Sequence, residues 1–213
     1  RHDRDSFRPQ ARGRSAAALV GVSRAGPFTL DLQRHGPHGL VAGTSGAGKS
    51  QFLMTLVLPL AIENTPEDLS FVLIDFKGGG AFGACAALPH TTAMVTNLEG
   101  TGAARAISAL RAESVRRQAL LADFGGDIDN YEQARQAGHR AAKQKIPRLV
   151  VIVDEFAQLA QEYPDLLEAF VNVARVGRSL GMHLILATQR PSGVVSPQIR
   201  SNAALRVALR VVD

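Results

Sequence analysis

From residue 38 onward, short apolar runs alternate with longer segments of mixed character. Five of the runs have the length of buried strands: 39–42, 70–75, 92–96, 149–154 and 183–188. The clearest is Leu149-Val150-Val151-Ile152-Val153, with four β-branched residues in succession, which is the composition of a strand covered on both faces. A sixth run, 205–212, is broken by Arg206 and Arg210 and predicts an edge strand. Helices are predicted over 49–62, 102–124, 128–137 and 156–180, the last interrupted near Pro164. In 102–124 the apolar positions 107, 110, 115, 120 and 121 recur at helical spacing, with Arg111, Arg116 and Arg117 between them. Strand alternating with helix predicts an α/β domain, with a mainly parallel sheet flanked by helices and joined by right-handed crossovers. Residues 1–37 differ: they are rich in Arg, Gly, Pro and Ser and hold only the short apolar runs AAALVGV and FTLDL. They predict a basic linker with one or two short strands leading into a domain at 38–213.

Composition narrows the class without naming it. The chain has 213 residues, 46% hydrophobic and 20% charged, which is enough to bury roughly 70% of its unfolded surface in one core. Bulk disorder is excluded. One cysteine, Cys85, rules out an internal disulfide framework and a Cys-based zinc site. The longest apolar stretch, 52–62, contains Thr55 and Pro59 and falls short of the ~20 residues that cross a bilayer. The opening RHDRDSFRPQ has no apolar segment behind it and predicts no secretory signal. A start at Arg1 rather than Met predicts a piece of a longer protein. The net charge of +5 is uneven: residues 1–37 carry seven Arg against three Asp, whereas 149–213 balance. Such a surplus suits an anionic partner, but 5% aromatics and no Trp argue against stacking on single-stranded nucleic acid.

Chemistry concentrates in three places. Gly43-Thr44-Ser45-Gly46-Ala47-Gly48-Lys49-Ser50 is a full GxxxxGK[ST] phosphate loop, placed between a predicted strand and a predicted helix. Its glycines let successive backbone N–H groups turn inward, and the following helix adds the positive end of its dipole. Lys49 supplies a charge for β- and γ-phosphates, and the Ser50 hydroxyl a ligand for Mg²⁺. The second place is the end of the 149–154 strand, where Asp154 would hold the metal and Glu155 would polarise an attacking water. An isolated Asp-Glu pair can also be a solvated strand end that caps a helix; beside a phosphate loop it predicts hydrolysis rather than binding alone. The third is Leu186-Ala187-Thr188-Gln189-Arg190-Pro191, whose Thr188 and Gln189 could contact the γ-phosphate.

With Ile74-Asp75-Phe76-Lys77-Gly78-Gly79-Gly80, Leu88-Pro89-His90 and Arg178-Ser179-Leu180-Gly181-Met182-His183-Leu184, these motifs resemble the FtsK/SpoIIIE-type motor ATPases. These are RecA-like P-loop NTPases with an extra strand between the two Walker motifs. The resemblance covers residues 36–213. Asp75-Phe76-Lys77-Gly78-Gly79 and Ala174-Arg175-Val176-Gly177-Arg178-Ser179-Leu180-Gly181 look most like the EccC ATPases of type VII secretion. Ala187-Thr188-Gln189-Arg190-Pro191-Ser192 is closer to the double-stranded DNA translocases. The resemblance implies a self-assembled ring, usually a hexamer, that binds ATP with Mg²⁺ between neighbours and receives an arginine in trans. Arg178 is the first candidate for that arginine and Arg175 the alternative. It also implies a secreted protein or duplex DNA as the moved partner. A place at the cytoplasmic face of the membrane follows, with membrane-embedded parts of the same protein or complex. Lys77 with Gly78–Gly80 would form a loop at the ligand edge, and Cys85 and His90 would be structural. A nucleotide-gated scaffold with negligible turnover is the alternative from another class.

Overall fold

A computed structural model describes residues 16–75, 80–96, 98–99, 101–189 and 196–210. The amino-terminal part is an antiparallel hairpin, β1 (Ala17–Ser23) and β2 (Gly26–Asp31). Six strands then build one parallel sheet: β3 (His38–Ala42), β4 (Leu69–Asp75), β5 (Thr91–Val95), β6 (Arg148–Asp154), β7 (Met182–Thr188) and β8 (Leu205–Ala208). Their spatial order is β5-β4-β6-β7-β3-β8, every neighbouring pair parallel. One strand, β7, thus separates the phosphate-loop strand β3 from the acidic strand β6. The helices are α1 (Lys49–Glu63), α2 (Gly102–Leu121), α3 (Ile128–Gln136), α4 (Phe156–Glu162), α5 (Pro164–Leu180) and α6 (Pro197–Asn202).

The period-two alternation of the strands sorts the core into two layers. On β6, Val151 and Val153 face the α2, α3 and α5 side, while Val150 and Ile152 face α1 and the hairpin. On β7, Leu184 and Leu186 take the first side and Ile185 and Ala187 the second. The hairpin is part of the second layer: Ala16, Ala18, Leu30 and Leu32 are all buried with Leu53, Leu56 and Leu60 of α1. The break expected near Pro164 is where α4 ends and α5 begins, with Pro164 at the first helical position, where its missing N–H costs nothing. Gly181 closes α5 in the left-handed conformation (φ 66°), and a Cβ there would come within 2.5 Å of Ile128 Cδ1. Of the predicted edge strand, 205–208 is β8; positions 211–212 lie outside the described residues.

The faces of α2 depart from the apolar pattern. Val115 is 63% exposed, whereas Arg117 is 1% exposed and shares a buried stripe with Ala103, Leu110, Ser114 and Leu121. Those five positions are themselves helically spaced, so the helix is rotated from the orientation its apolar residues predict. Arg117 is tolerated inside because every arm of its guanidinium is used. Nε donates to Glu113 Oε1 at 2.7 Å, Nη1 to the Leu180 carbonyl at 2.8 Å, and Nη2 to the Pro147 carbonyl at 2.7 Å. Burial alone would raise the Glu113 carboxyl, but the hydrogen bonds from Arg116 and Arg117 hold it below the usual carboxylate range.

Candidate active site

A parallel sheet collects the carboxyl ends of its strands on one edge, and the sequence motifs all sit at those ends. The phosphate loop leaves β3 and enters α1. Gly46 (φ 72°) and Gly48 (φ 93°) take left-handed conformations that no bulkier residue adopts without strain, and Gly48 is the amino-terminal cap of α1. No acidic side chain occupies the first turn of α1, so its N–H groups and dipole remain available to an anion. Lys49 is buried, and its Nζ donates to the Gly43 carbonyl at 3.1 Å, which holds the ammonium within the curl of the loop.

Neighbouring strands brace the loop. Gly43 N donates to the Thr188 carbonyl at 3.2 Å, and both Thr44 N (2.9 Å) and Thr44 Oγ1 (3.1 Å) donate to the Arg210 carbonyl. Ala47 N closes the turn onto the Thr44 carbonyl at 3.1 Å. Ser45 Oγ donates to Gln189 Oε1 at 3.0 Å.

The acidic wall faces the loop. Asp154 ends β6 and is paired in register with Asp75, which ends β4. Burial pushes the Asp154 carboxyl upward, and the charges of Asp75 and Glu155 add to that. The Glu155 N–H, bonded to Asp154 Oδ1 at 3.0 Å, and the Lys49 ammonium oppose the rise. Asp75 is buried, and its Oδ2 accepts the Ala81 N–H at 3.0 Å. Glu155 is the one non-glycine residue with positive φ (55°) among the described residues. This left-handed cap of α4 costs on the order of 1 kcal/mol and turns the chain sharply from strand to helix, leaving a buried glutamate at the cleft wall. Its Oε1 lies 3.5 Å from Gln189 N.

These groups converge on an open cleft of about 420 Å³. Of the expected site residues, Thr44, Ser45, Gly46, Gly48, Lys49, Ser50, Asp154, Glu155 and Gln189 line it. Gly43 and Ala47 shape the loop from behind. Thr188, expected beside the γ-phosphate, is buried; it lines a separate pocket with Arg200 and Arg206, and it serves the cleft through its carbonyl bond to Gly43. Arg178 and Arg175 are exposed on the last turns of α5, which lead into the start of β7 at the opposite edge of the sheet. Neither meets the cleft of its own chain. Lys77, Gly78, Gly79, Arg190 and Pro191 lie outside the described residues. Cys85 is buried in a short 3-10 turn, where burial raises its thiol, and His90 Nε2 bonds the Asn64 carbonyl at 2.9 Å.

Sequence reading passed over three contributors. Gln51 also lines the cleft. Asp75 stands beside Asp154, which the matching ends of two apolar runs, each closing on Asp, could have revealed. Arg210 acts through its carbonyl and leaves no signal in the sequence.

The donor set fits magnesium. The Ser50 hydroxyl and the Asp154 carboxylate are hard oxygens, and crowding by Asp75 and Glu155 makes a cation beside Asp154 favourable. Among the described residues no group of three or more His, Cys, Asp or Glu could hold a metal unaided. Two protein oxygens completed by phosphates is the arrangement that suits this ion.

Comparison with known proteins finds relatives by sequence and by fold. The sequence model described as the FtsK/SpoIIIE family matches residues 8–193. The type VII secretion system protein EssC of Staphylococcus aureus is 47% identical over 187 residues, which is 87% of this chain and 12% of that protein. The cytoplasmic domain of the type VII secretion ATPase EccC of Thermomonospora curvata superposes with a TM-score of 0.86 at 39% identity, covering 96% of this chain and 25% of that one. The same organism's EccC (ATPases 2 and 3), in complex with a signal sequence peptide, superposes with a TM-score of 0.83 at 29% identity, covering 98% and 38%. The chain therefore spans a small part of the length of these relatives.

Proposed function

The chain belongs to the FtsK/SpoIIIE family, and we propose that it is the ATP-hydrolysing motor domain of a ring-forming translocase that drives protein export in a type VII secretion system. It is a P-loop ATPase domain by family and by fold. The observation that carries the motor reading is the meeting of a complete phosphate loop with Asp154 and Glu155 across one cleft.

Within that cleft the inward N–H groups and the Lys49 ammonium bind the triphosphate and oppose the charge that spreads over its oxygens during transfer. The Ser50 hydroxyl and Asp154 carboxylate would hold Mg²⁺, whose chemistry when bound is to neutralise the β- and γ-phosphates. Glu155 accepts a proton from the attacking water and orients it. Gln189, bonded to Ser45 and adjacent to Glu155, contacts the γ-phosphate. Arg178, on the far edge of its own sheet, acts on a neighbour's nucleotide in the proposed ring. The secreted partner is favoured by the EccC relative bound to a signal sequence peptide. Attachment to membrane-embedded parts at the cytoplasmic face belongs to the same reading. No helix among the described residues is long and apolar enough to cross a membrane.

The test is a pair of variants in the full-length protein. Lys49→Ala should abolish ATP turnover through lost binding. Glu155→Gln should retain ATP binding and lose at least about a hundredfold in turnover. An unchanged rate in Lys49→Ala would refute the site. Stimulation by a signal-bearing secreted protein supports export, whereas stimulation by duplex DNA with a steep salt dependence would assign the domain to DNA movement.

A further inference from the structure

Gln189 emerges from β7 with an amide that can present either its oxygen or its nitrogen to the cleft. Which one faces a phosphate decides the sign of the contact: the N–H groups attract a phosphate oxygen and the carbonyl repels it. In the structure the amide oxygen is turned to a residue of the phosphate loop. Ser45, exposed at the rim, donates its hydroxyl proton to Gln189 Oε1 at 3.0 Å. With the oxygen held in that bond, the Nε2 donors are available to a phosphate oxygen. The backbone N–H of Gln189 points toward Glu155 Oε1, 3.5 Å away. One residue earlier, the Thr188 carbonyl receives Gly43 N at 3.2 Å. The end of β7 therefore grips the loop twice, through the backbone at Gly43 and through a side-chain pair at Ser45, and the second grip runs on to the catalytic glutamate.

We propose that Ser45 is a positioning residue for hydrolysis. Its hydroxyl fixes the orientation of the Gln189 amide, presents the amide donors to the γ-phosphate, and ties that contact to the phosphate loop. The proposal rests on the reading of Gln189 as a γ-phosphate contact. The consequence is selective. ADP has no γ-phosphate, so the Ser45 hydroxyl matters for ATP and for turnover while leaving the grip on the α- and β-phosphates intact.

In the full-length protein, Ser45→Ala, Ser45→Thr, Gln189→Ala and the double variant Ser45→Ala/Gln189→Ala are compared. Affinities for ADP and for the γ-thiophosphate analogue of ATP are measured by calorimetry, and kcat and KM by phosphate release. Ser45→Ala should keep ADP affinity within about twofold while losing about fivefold in its preference for the triphosphate and about fivefold or more in kcat, the size of one neutral hydrogen bond. Ser45→Thr, which keeps the hydroxyl, should restore both. The double variant should be no worse than Gln189→Ala alone. A Ser45→Ala protein with unaltered preference and kcat, beside an impaired Gln189→Ala, would overturn the positioning role and leave Gln189 in place. Equal impairment of Ser45→Thr and Ser45→Ala would overturn it too, since the hydroxyl would not be the agent. If both single alanine variants are silent, the role of Gln189 fails, and the role of Ser45 with it.

Discussion

At the scale of single residues, the site is assembled from groups that the fold alone would not favour. Asp154 is the clearest case. Its carboxyl is raised by burial and by two neighbouring carboxylates, so the folded chain disfavours its charged form. The sign follows from linkage. A raised carboxyl lowers stability at any pH above its folded value, and the cost disappears once the pH falls below the ordinary value of 3.8. Asp154→Asn, which can still accept the Glu155 N–H, is therefore expected to raise the melting temperature of the nucleotide-free protein at neutral pH. The same change should weaken magnesium-dependent ATP binding. Calorimetric melting with and without Mg-ATP checks both signs, and a variant less stable without nucleotide would contradict the electrostatic account. The left-handed Glu155 belongs to the same pattern of local cost at a site that needs it.

At the scale of elements, the fold depends on one buried arginine more than its helix pattern indicates. Arg117 joins α2 to the end of α5 through Leu180 and Gly181 and to the entry of β6 through Pro147. Arg117→Leu would keep the apolar stem but leave those carbonyls in a dry environment, and is expected to cost about 3 kcal/mol or more. Arg117→Lys cannot fork toward all of them and should recover only part. Urea unfolding gives the values; a loss below about 1 kcal/mol for Arg117→Leu would mean that water replaces the guanidinium. This element also marks where the sequence stops being readable. The strands at 39–42, 149–154 and 183–188 were legible because long apolar runs can only be buried, and parallel pairing then brings their polar ends together at one edge. The break at Pro164 was legible from ring chemistry. The facing of α2 was not, because a buried arginine looks like a surface one until the carbonyls that satisfy it are placed. Thr188 was read from its side chain but reaches the loop through its carbonyl, and backbone contacts such as those of Thr188 and Arg210 carry no sequence mark.

At the scale of the whole molecule, function and stability are assigned to opposite edges of the sheet. The carboxyl edge holds the cleft, while the last turn of α5 carries Arg178 to the other edge. In the ring proposed above, with Arg178 offered to a neighbour, ATP turnover per chain should rise with protein concentration until assembly is complete; a rate strictly proportional to concentration over a hundredfold range would argue for a self-sufficient site. The amino edge also governs the acid response. His38 and His183, at the starts of β3 and β7, are buried beside each other's strands. The His38 Nδ1 accepts the Leu184 N–H at 3.0 Å, and His183 Nδ1 donates to the Pro37 carbonyl at 3.1 Å. Burial lowers His38 to about 4. Burial, helped by the charges of Arg148, His38 and Arg117, lowers His183 to about 3. Both rings are neutral in the folded chain, whereas in the unfolded chain they gain protons as the pH drops through 6.5. Their contribution to stability is therefore constant above that pH and is lost as the pH falls from 6.5 toward 4, by up to about 1.4 kcal/mol per pH unit for each ring. Urea midpoints measured at pH 7.5, 6 and 5 should fall in step, and His183→Gln, which cannot titrate, should flatten the slope. A wild-type profile already flat across that window would show that the two rings do not set the acid limit of the fold.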